Sequence, residues 1–530
     1  MAVARTRCIA LVGVTGHPVD VEADVGSGMA GLHLIGMLDT ALSEARDRVR
    51  SAVVNSRYGW PDARITVSLF PASLPKRGSV FDVAIAVALL AAAGIVPPAK
   101  VAEPFFLGEL GLDGSMRPVR GVLPAVLAAA GAGARTVVVP PHNAAEAGLV
   151  PDVTVIAAAT LGELVSRLRS DDPAGRPAAG GAPYAEPPRL GGGPGGPRPA
   201  APDGPDGPDE IVPDLGDVAG QPFARRALEV CAAGGHNLWM LGQPGTGKTM
   251  LAERLPTLLP PLERDEALEV TAIHSIAGAL PMDRPLLTRP PFVAPHHTAT
   301  VAAVIGGGSG VIRPGAVSLA HRGVLFMDEA PEYAATVLDS LRQPLESGRV
   351  TVSRALGSVT FPARFMLVLA ANRCPCARPS SPEDPCRCTP AARRRYLARL
   401  SGPLLDRIDV KVTLYRSTRR ELLADRRFIE PSRVVAERVL VARGRAAERF
   451  AGRPWRCNAE MPTRALHADY RPSPQAMSPL LHCLDSGELS ARGLDRVIRV
   501  AWTLADLGGR DRPEVEETNA ALGLWLGEER

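Results

Sequence analysis

Lysine is nearly missing from this chain of 530 residues: Lys76, Lys100, Lys248 and Lys411 are the only four, so almost all of the 60 cationic side chains are arginines. Aromatic residues are scarce too, at 4%. There is no uninterrupted apolar run of about 18 residues, which argues against a membrane-spanning helix. The apolar stretch 8–14 is too short for a secretory signal and has no cleavage site behind it. Of the eight cysteines, four crowd into one segment (Cys374, Cys376, Cys386 and Cys388) and the others are scattered, which is no disulfide framework. Together these absences predict a cytoplasmic protein without a membrane partner. A net charge of +4 neither demands nucleic acid nor excludes it, so charge position decides.

What is present is an ordinary globular composition, 46% hydrophobic and 22% charged, in a chain too long for one core. Part of the high glycine and proline content (52 and 51 residues) is local. Residues 171–210 hold one aromatic side chain, Tyr184, and no apolar periodicity, which predicts a disordered linker. Before it, residues 1–170 read as an α/β unit, with strands at 19–25, 64–70 and 135–140 and helices at 39–55 and 81–93. After it, over 211–416, the apolar runs 236–241, 324–327 and 365–370 alternate with helical stretches, as a parallel sheet requires. Residues 417–530 are helical in pattern, notably 432–450 and 491–507.

Gly242-Gln243-Pro244-Gly245-Thr246-Gly247-Lys248-Thr249 fits G-x-x-x-x-G-K-[ST] and follows the apolar run Leu238-Trp239-Met240-Leu241. Strand, glycine-rich loop and helix form the phosphate-binding context: the glycines let backbone N–H groups converge on phosphate oxygens, and the helix N-terminus adds partial positive charge. Lys248 is expected to reach the β- and γ-phosphates of ATP, and Thr249 to ligate Mg²⁺. The apolar strand Val324-Leu325-Phe326-Met327 ends in Asp328-Glu329. Asp328 is placed to hold the Mg²⁺ shell and Glu329 to deprotonate the attacking water. A third apolar run ends at Asn372, whose amide is suited to reading the γ-phosphate.

The segments GVLFMDEAPEY, LRQPLESGRVTVSRA, FPARFMLVLAANRCPC and SGPLLDRIDV resemble the magnesium-chelatase-like AAA+ ATPases of the ComM/YifB type, a likeness running from about Cys8 to Leu507. The resemblance implies an AAA+ parallel-sheet core with a C-terminal helical lid, and makes Asn372 the sensor. It maps the finger that completes a neighbouring subunit's site onto Arg407, with a plain ion pair to Asp406 or Asp409 as the alternative. It maps the lid arginine onto Arg492, with Arg496 and Arg499 as rivals. A finger acting in trans implies a homo-oligomeric ring, a hexamer.

Residues 75–82 (PKRGSVFD), 107–110 (LGEL) and 117–121 (RPVRG) resemble the Lon-protease domain, an α+β fold. That family's Ser–Lys dyad would fall on Val80 and Leu123, neither of which can do the chemistry. Ser79 is one residue off register, and Lys76 is too near along the chain. The amino-terminal unit is therefore expected to be proteolytically inactive.

Four thiols in C-x-C pairs suit tetrahedral Zn²⁺, although four reduced thiols in a loop is the competing reading. Where the family reads N-P-C-P-C-G, this chain has Arg373 and Ala377. His296-His297 lies in an insertion before the acidic strand and reads as loop packing or substrate contact rather than a metal site.

Three functions compete. ComM-like proteins are branch-migration helicases associated with natural transformation and recombination, which implies a DNA motor. The chelatase ATPase subunit implies a metal-insertion or remodelling ATPase. A nucleotide-switched binding module is the third. The alternating segment 350–360 predicts a hairpin, either structural or lining the channel of a ring, where Arg354 would hold DNA phosphate without reading sequence.

Overall fold

The computed structural model describes residues 2–36, 42, 44–170, 213–281, 284–308, 312–354, 357–376, 386, 388–422 and 429–527. The expected linker, the tip of the hairpin and the segment between the cysteine pairs lie outside the described residues.

The amino-terminal unit is one seven-stranded mixed sheet, in the order β3-β4-β2-β1-β5-β6-β7. Its strands are β1 (Ala2–Val12), β2 (Thr15–Gly26), β3 (Gly31–Ile35), β4 (Arg64–Phe70), β5 (Phe105–Phe106), β6 (Thr136–Val139) and β7 (Thr154–Ala157). Its helices include α1 (Ala45–Asn55), α2 (Asp82–Ala92) and α3 (Val122–Gly131). All eleven residues of α2 are buried, as an apolar sequence without a polar face requires. At its start the buried Asp82 takes both hydrogen bonds of the Arg48 fork, at 2.8 and 3.0 Å. Burial raises the Asp82 carboxyl to about 6, against the pull of Arg48. β1 goes beyond the sequence expectation, which has there only the apolar stretch 8–14. It pairs antiparallel with β2 from Ala2↔Val25 to Val12↔Thr15, and Gly13, with φ of +63°, permits the tight reversal between them.

The second body has a five-stranded sheet in the order β9-β10-β13-β8-β14. Its strands are β8 (Leu238–Gly242), β9 (Phe292–Val293), β10 (Val324–Met327), β13 (Met366–Ala371) and β14 (Val410–Leu414). The intervening helices include α4 (Pro222–Gly234), α5 (Lys248–Arg254), α6 (Arg264–Ala277), α7 (Val301–Ile305) and α8 (Pro390–Leu397). Every neighbouring pair in this sheet is parallel. All carboxyl ends therefore emerge at one edge, where ligands bind in open α/β sheets.

Strands β11 (Arg349–Arg354) and β12 (Gly357–Pro362) form a separate hairpin just before β13. Alternation gives it two unlike faces. Val350, Val352, Val359 and Phe361 are buried. The other face carries cross-strand hydroxyl pairs, Thr351–Thr360 at 2.9 Å and Ser353–Ser358 at 3.0 Å.

The carboxyl-terminal helices α9 (Ser432–Arg449), α10 (Pro474–Asp485), α11 (Ala491–Gly508) and α12 (Val515–Leu526) share one hydrophobic core with α4 and β8. The Arg449 fork closes on the buried Asp506, both bonds 2.7 Å long. The two sheets are also joined. The Gly121 N–H donates to Ser275 Oγ at 3.0 Å, and that hydroxyl donates to the buried Glu146. Among the described residues no helix is long and apolar enough to cross a membrane.

Candidate nucleotide-binding site

The phosphate loop leaves the interior strand β8 and enters α5 at Lys248. Gly245 and Gly247 hold φ of +74° and +88°, a region that L side chains rarely adopt. A Cβ at Gly245 would meet nothing within 4 Å, so the loop is open on that side. Within it, Thr246 Oγ1 donates to Gln243 O at 2.8 Å.

The buried Lys248 ammonium donates to Gly242 O (3.2 Å), Gln243 O (3.0 Å) and Asn372 Oδ1 (3.0 Å). Burial lowers its pKa, and Asp328 and Glu329 oppose that shift. Beside it, Thr249 Oγ1 donates to Asp328 Oδ2 at 2.8 Å. Phosphate loop, acidic strand end and polar amide, found separately in the sequence, thus meet at the carboxyl edge of three adjacent strands. One ammonium, one hydroxyl, two carboxylates and open glycine N–H groups form a donor set that fits ATP with Mg²⁺.

Glu329 follows β10 with φ of 49° and ψ of 42°, left-handed geometry that is strained for a residue with a side chain. Its N–H donates to Asp328 Oδ1 at 2.8 Å. Its carboxylate has a neighbour that sequence reasoning assigns to loop packing or substrate contact: His297 Nδ1 lies 3.5 Å from Glu329 Oε2. His297 follows a strand at the same sheet edge, which is the one signal that could have found it. With only two residues, however, β9 is invisible to pattern reading.

Three arginines are candidates for the lid. Arg496 pairs with the buried Asp409 at 2.9 Å, and Arg499 donates to Met461 O at 2.8 Å. Burial works to raise the Asp409 carboxyl, but Arg496, His236 and the Asn237 N–H outweigh it and hold it well below the usual range. Arg492 is the open one, its side chain 73% exposed and 3.8 Å from Asp406. Arg407 is buried in its own chain: its guanidinium donates to Glu346 and to Pro403 O, and its Nε has no partner among the described residues. No pattern in the sequence points to Glu346 as its partner.

The exposed Arg354 ends β11 opposite Gly357. A Cβ on Gly307 would lie 3.1 Å from its guanidinium, so Arg354 rests beside the glycine pair that follows α7.

The four loop cysteines converge. Their Sγ atoms all lie within 4.8 Å of one another, with Cys374–Cys376 at 3.2 Å, Cys374–Cys386 at 3.3 Å and Cys376–Cys386 at 3.5 Å. A tetrahedron with zinc–sulfur bonds of about 2.3 Å has sulfur edges of about 3.8 Å, inside that range. The Cys386 thiol is lowered to about 6 by the Cys388 backbone and by the thiols of Cys374 and Cys376.

In the amino-terminal unit, Ser79 Oγ donates to Glu109 and the buried Lys76 to Pro71 O. Leu123 is buried, with its N–H on Glu146 at 2.7 Å.

Comparison with known proteins adds family evidence to this geometry. Family models described as "Subunit ChlI of Mg-chelatase", "Magnesium chelatase, subunit ChlI" and "Magnesium chelatase, subunit ChlI C-terminal" match residues 21–143, 214–422 and 429–524. The competence protein ComM of Haemophilus influenzae is 38% identical over 525 residues, 99% of this chain and 97% of its own. YifB of Escherichia coli is 38% identical over 511 residues, 96% of this chain and 94% of its own. The chain belongs to the ComM/YifB magnesium-chelatase-like family. An uncharacterized protein of Mycobacterium tuberculosis is 50% identical over 525 residues, 99% of each chain. Membership in the ComM/YifB family carries an AAA+ ATPase core, and the parallel sheet with its phosphate loop is the expected frame for one.

Proposed function

We propose that this chain is an ATP-hydrolysing ring motor that acts on DNA, of the branch-migration or helicase type. Bound Mg-ATP supplies the γ-phosphoryl group that passes to water. Lys248 and the N–H groups of residues 242–249 bind and orient the phosphates, while Thr249 and Asp328 hold Mg²⁺. Asn372 orients the γ-phosphate, Glu329 takes the proton of the attacking water, and Arg492 closes from the lid. Arg407 completes the site of the adjacent subunit in a hexameric ring, which requires that it exchange Glu346 for phosphate. The four cysteines hold one Zn²⁺, bracing the loop that follows Asn372. The amino-terminal unit is a scaffold and not a protease.

The observation that carries the DNA reading is the hairpin. One face is anchored in the core, the other presents hydroxyls, and the exposed Arg354 ends the first strand beyond Val350 and Val352. That chemistry grips a phosphate backbone and reads no base edge. A remodelling ATPase that does not act on DNA is the second reading, favoured by the chelatase description of the matching family models.

The deciding measurement is the ATPase rate with single-stranded, duplex and four-way-junction DNA. Stimulation is expected. Arg354→Ala should lower DNA affinity, with a salt slope shallower by about one unit for each phosphate that the protein no longer neutralises. Wild-type protein with neither DNA binding nor DNA-stimulated hydrolysis would leave the remodelling reading in place.

A further inference from the structure

The hairpin and the stretch that follows α7 bring their cations to one face. Directly after α7, Gly306–Gly307 pairs antiparallel with Arg313–Pro314, in the register Gly306↔Pro314 and Gly307↔Arg313. The base of this pair is tightly closed, since a Cβ on Gly315 would collide with the Gly306 nitrogen. Ile312 and Pro314 are buried, and Arg313 between them is exposed. Alternation along the strand therefore sets the side on which Arg313 stands.

Residues directly opposite in an antiparallel pair project their Cβ atoms to the same face, about 4.5–5.5 Å apart. The face of Arg313 is thus the face on which a Gly307 Cβ would stand. That space is taken by the guanidinium of Arg354, 3.1 Å from the Cβ position. Arg354 lies two residues beyond the buried Val352, so alternation turns it away from the hydroxyl face of the hairpin. The missing side chain at Gly307 lets the hairpin arginine in, and it enters on the side of Arg313.

Neither element carries a charge to neutralise the two. Arg313 is the only charged residue between 298 and 320, and the hairpin, residues 349–362, holds Arg349 and Arg354 but no carboxylate. Among the described residues, neither Arg313 nor Arg354 is in an ion pair. Two like charges on one face repel each other, and an anion held between them removes that cost. A phosphodiester fits, because its two free oxygens match the N–H forks of guanidinium groups.

We propose that Arg313 and Arg354 form one site that grips a single phosphate of the DNA backbone. The site rests on the DNA reading above and adds to the hairpin a second residue from a different insertion. Both side chains address backbone oxygens, so the grip is indifferent to base sequence.

The test is a titration of the full chain against fluorescently labelled single-stranded and duplex DNA over a range of salt concentrations. Arg313→Ala should weaken binding about five- to tenfold at about 0.1 M salt, as should Arg354→Ala. Arg313→Lys keeps a cation and should recover most of the affinity, whereas Arg313→Glu should fall below the alanine variant. Because one phosphate is shared, the double variant Arg313→Ala/Arg354→Ala should flatten the salt slope by about one unit and not two. Its loss of affinity should also be smaller than the product of the two single losses. If Arg313→Ala binds like wild type while Arg354→Ala does not, the shared site falls and the DNA reading stands. A slope flatter by about two units in the double variant would give each arginine its own phosphate, and likewise overturns the site. Wild-type protein that binds neither DNA removes the DNA reading and the site together.

Discussion

Gly13 in the β1–β2 turn packs directly on Val359 of the hairpin: a Cβ at Gly13 would come within 2.5 Å of Val359 Cγ1. Val12 and Val14, on either side, pack against the same cluster as Val359 and Phe361. The long strand pair of the amino-terminal sheet thus ends as a strut against the hairpin.

Gly13→Val meets two penalties, a side chain at φ of +63° and an overpacked contact. Together they should cost about 2–4 kcal/mol, read as a lower thermal midpoint. Adding Val359→Ala should recover the packing share and leave the backbone share. An unchanged midpoint in Gly13→Val would mean that the strut does not bear on the hairpin.

At the nucleotide site, Lys248→Ala should lose ATP affinity, because the only ammonium in the phosphate loop is gone. Glu329→Gln should bind ATP and turn it over about a hundredfold more slowly or worse, since only proton acceptance is removed. Binding by fluorescent-nucleotide titration and turnover by phosphate release separate the two effects. Normal turnover in Glu329→Gln would exclude that residue as base.

The burial of Arg407 against Glu346 makes its trans role a sharp question. Arg407→Ala should bind ATP and hydrolyse it about a thousandfold more slowly, and mixing it with Lys248→Ala subunits should exceed either alone. Glu346→Gln leaves the guanidinium in place and should keep hydrolysis. If Arg407→Ala and Glu346→Gln lower the melting midpoint equally and neither alters turnover, the pair is only structural.

For the cysteine cluster, elemental analysis of protein purified without chelator should find one zinc per chain. Changing Cys374 and Cys376 together to serine should abolish it, since two thiolates cannot hold the ion against buffer chelators. Folded, active wild-type protein free of metal would return the four thiols to an ordinary loop.

Sequence alone determined the parts that depend on local pattern. The phosphate loop needs its glycines and lysine in fixed spacing, so residues 242–249 were legible. Apolar strands as short as Val324–Met327 were legible because burial on both faces demands an unbroken apolar run. The alternation in 350–360 showed the hairpin through its two faces. What the tertiary structure decided are relationships across strands. That Lys248 meets Asn372, that Arg407 is held by Glu346, and that His297 faces Glu329 all depend on the order β9-β10-β13-β8-β14 and on helix packing. Strand order leaves no periodicity in a chain, and β9, with two residues, is too short to leave any pattern. The contact of Gly13 with Val359 is the extreme case, joining positions whose nearness is fixed only when two sheets dock.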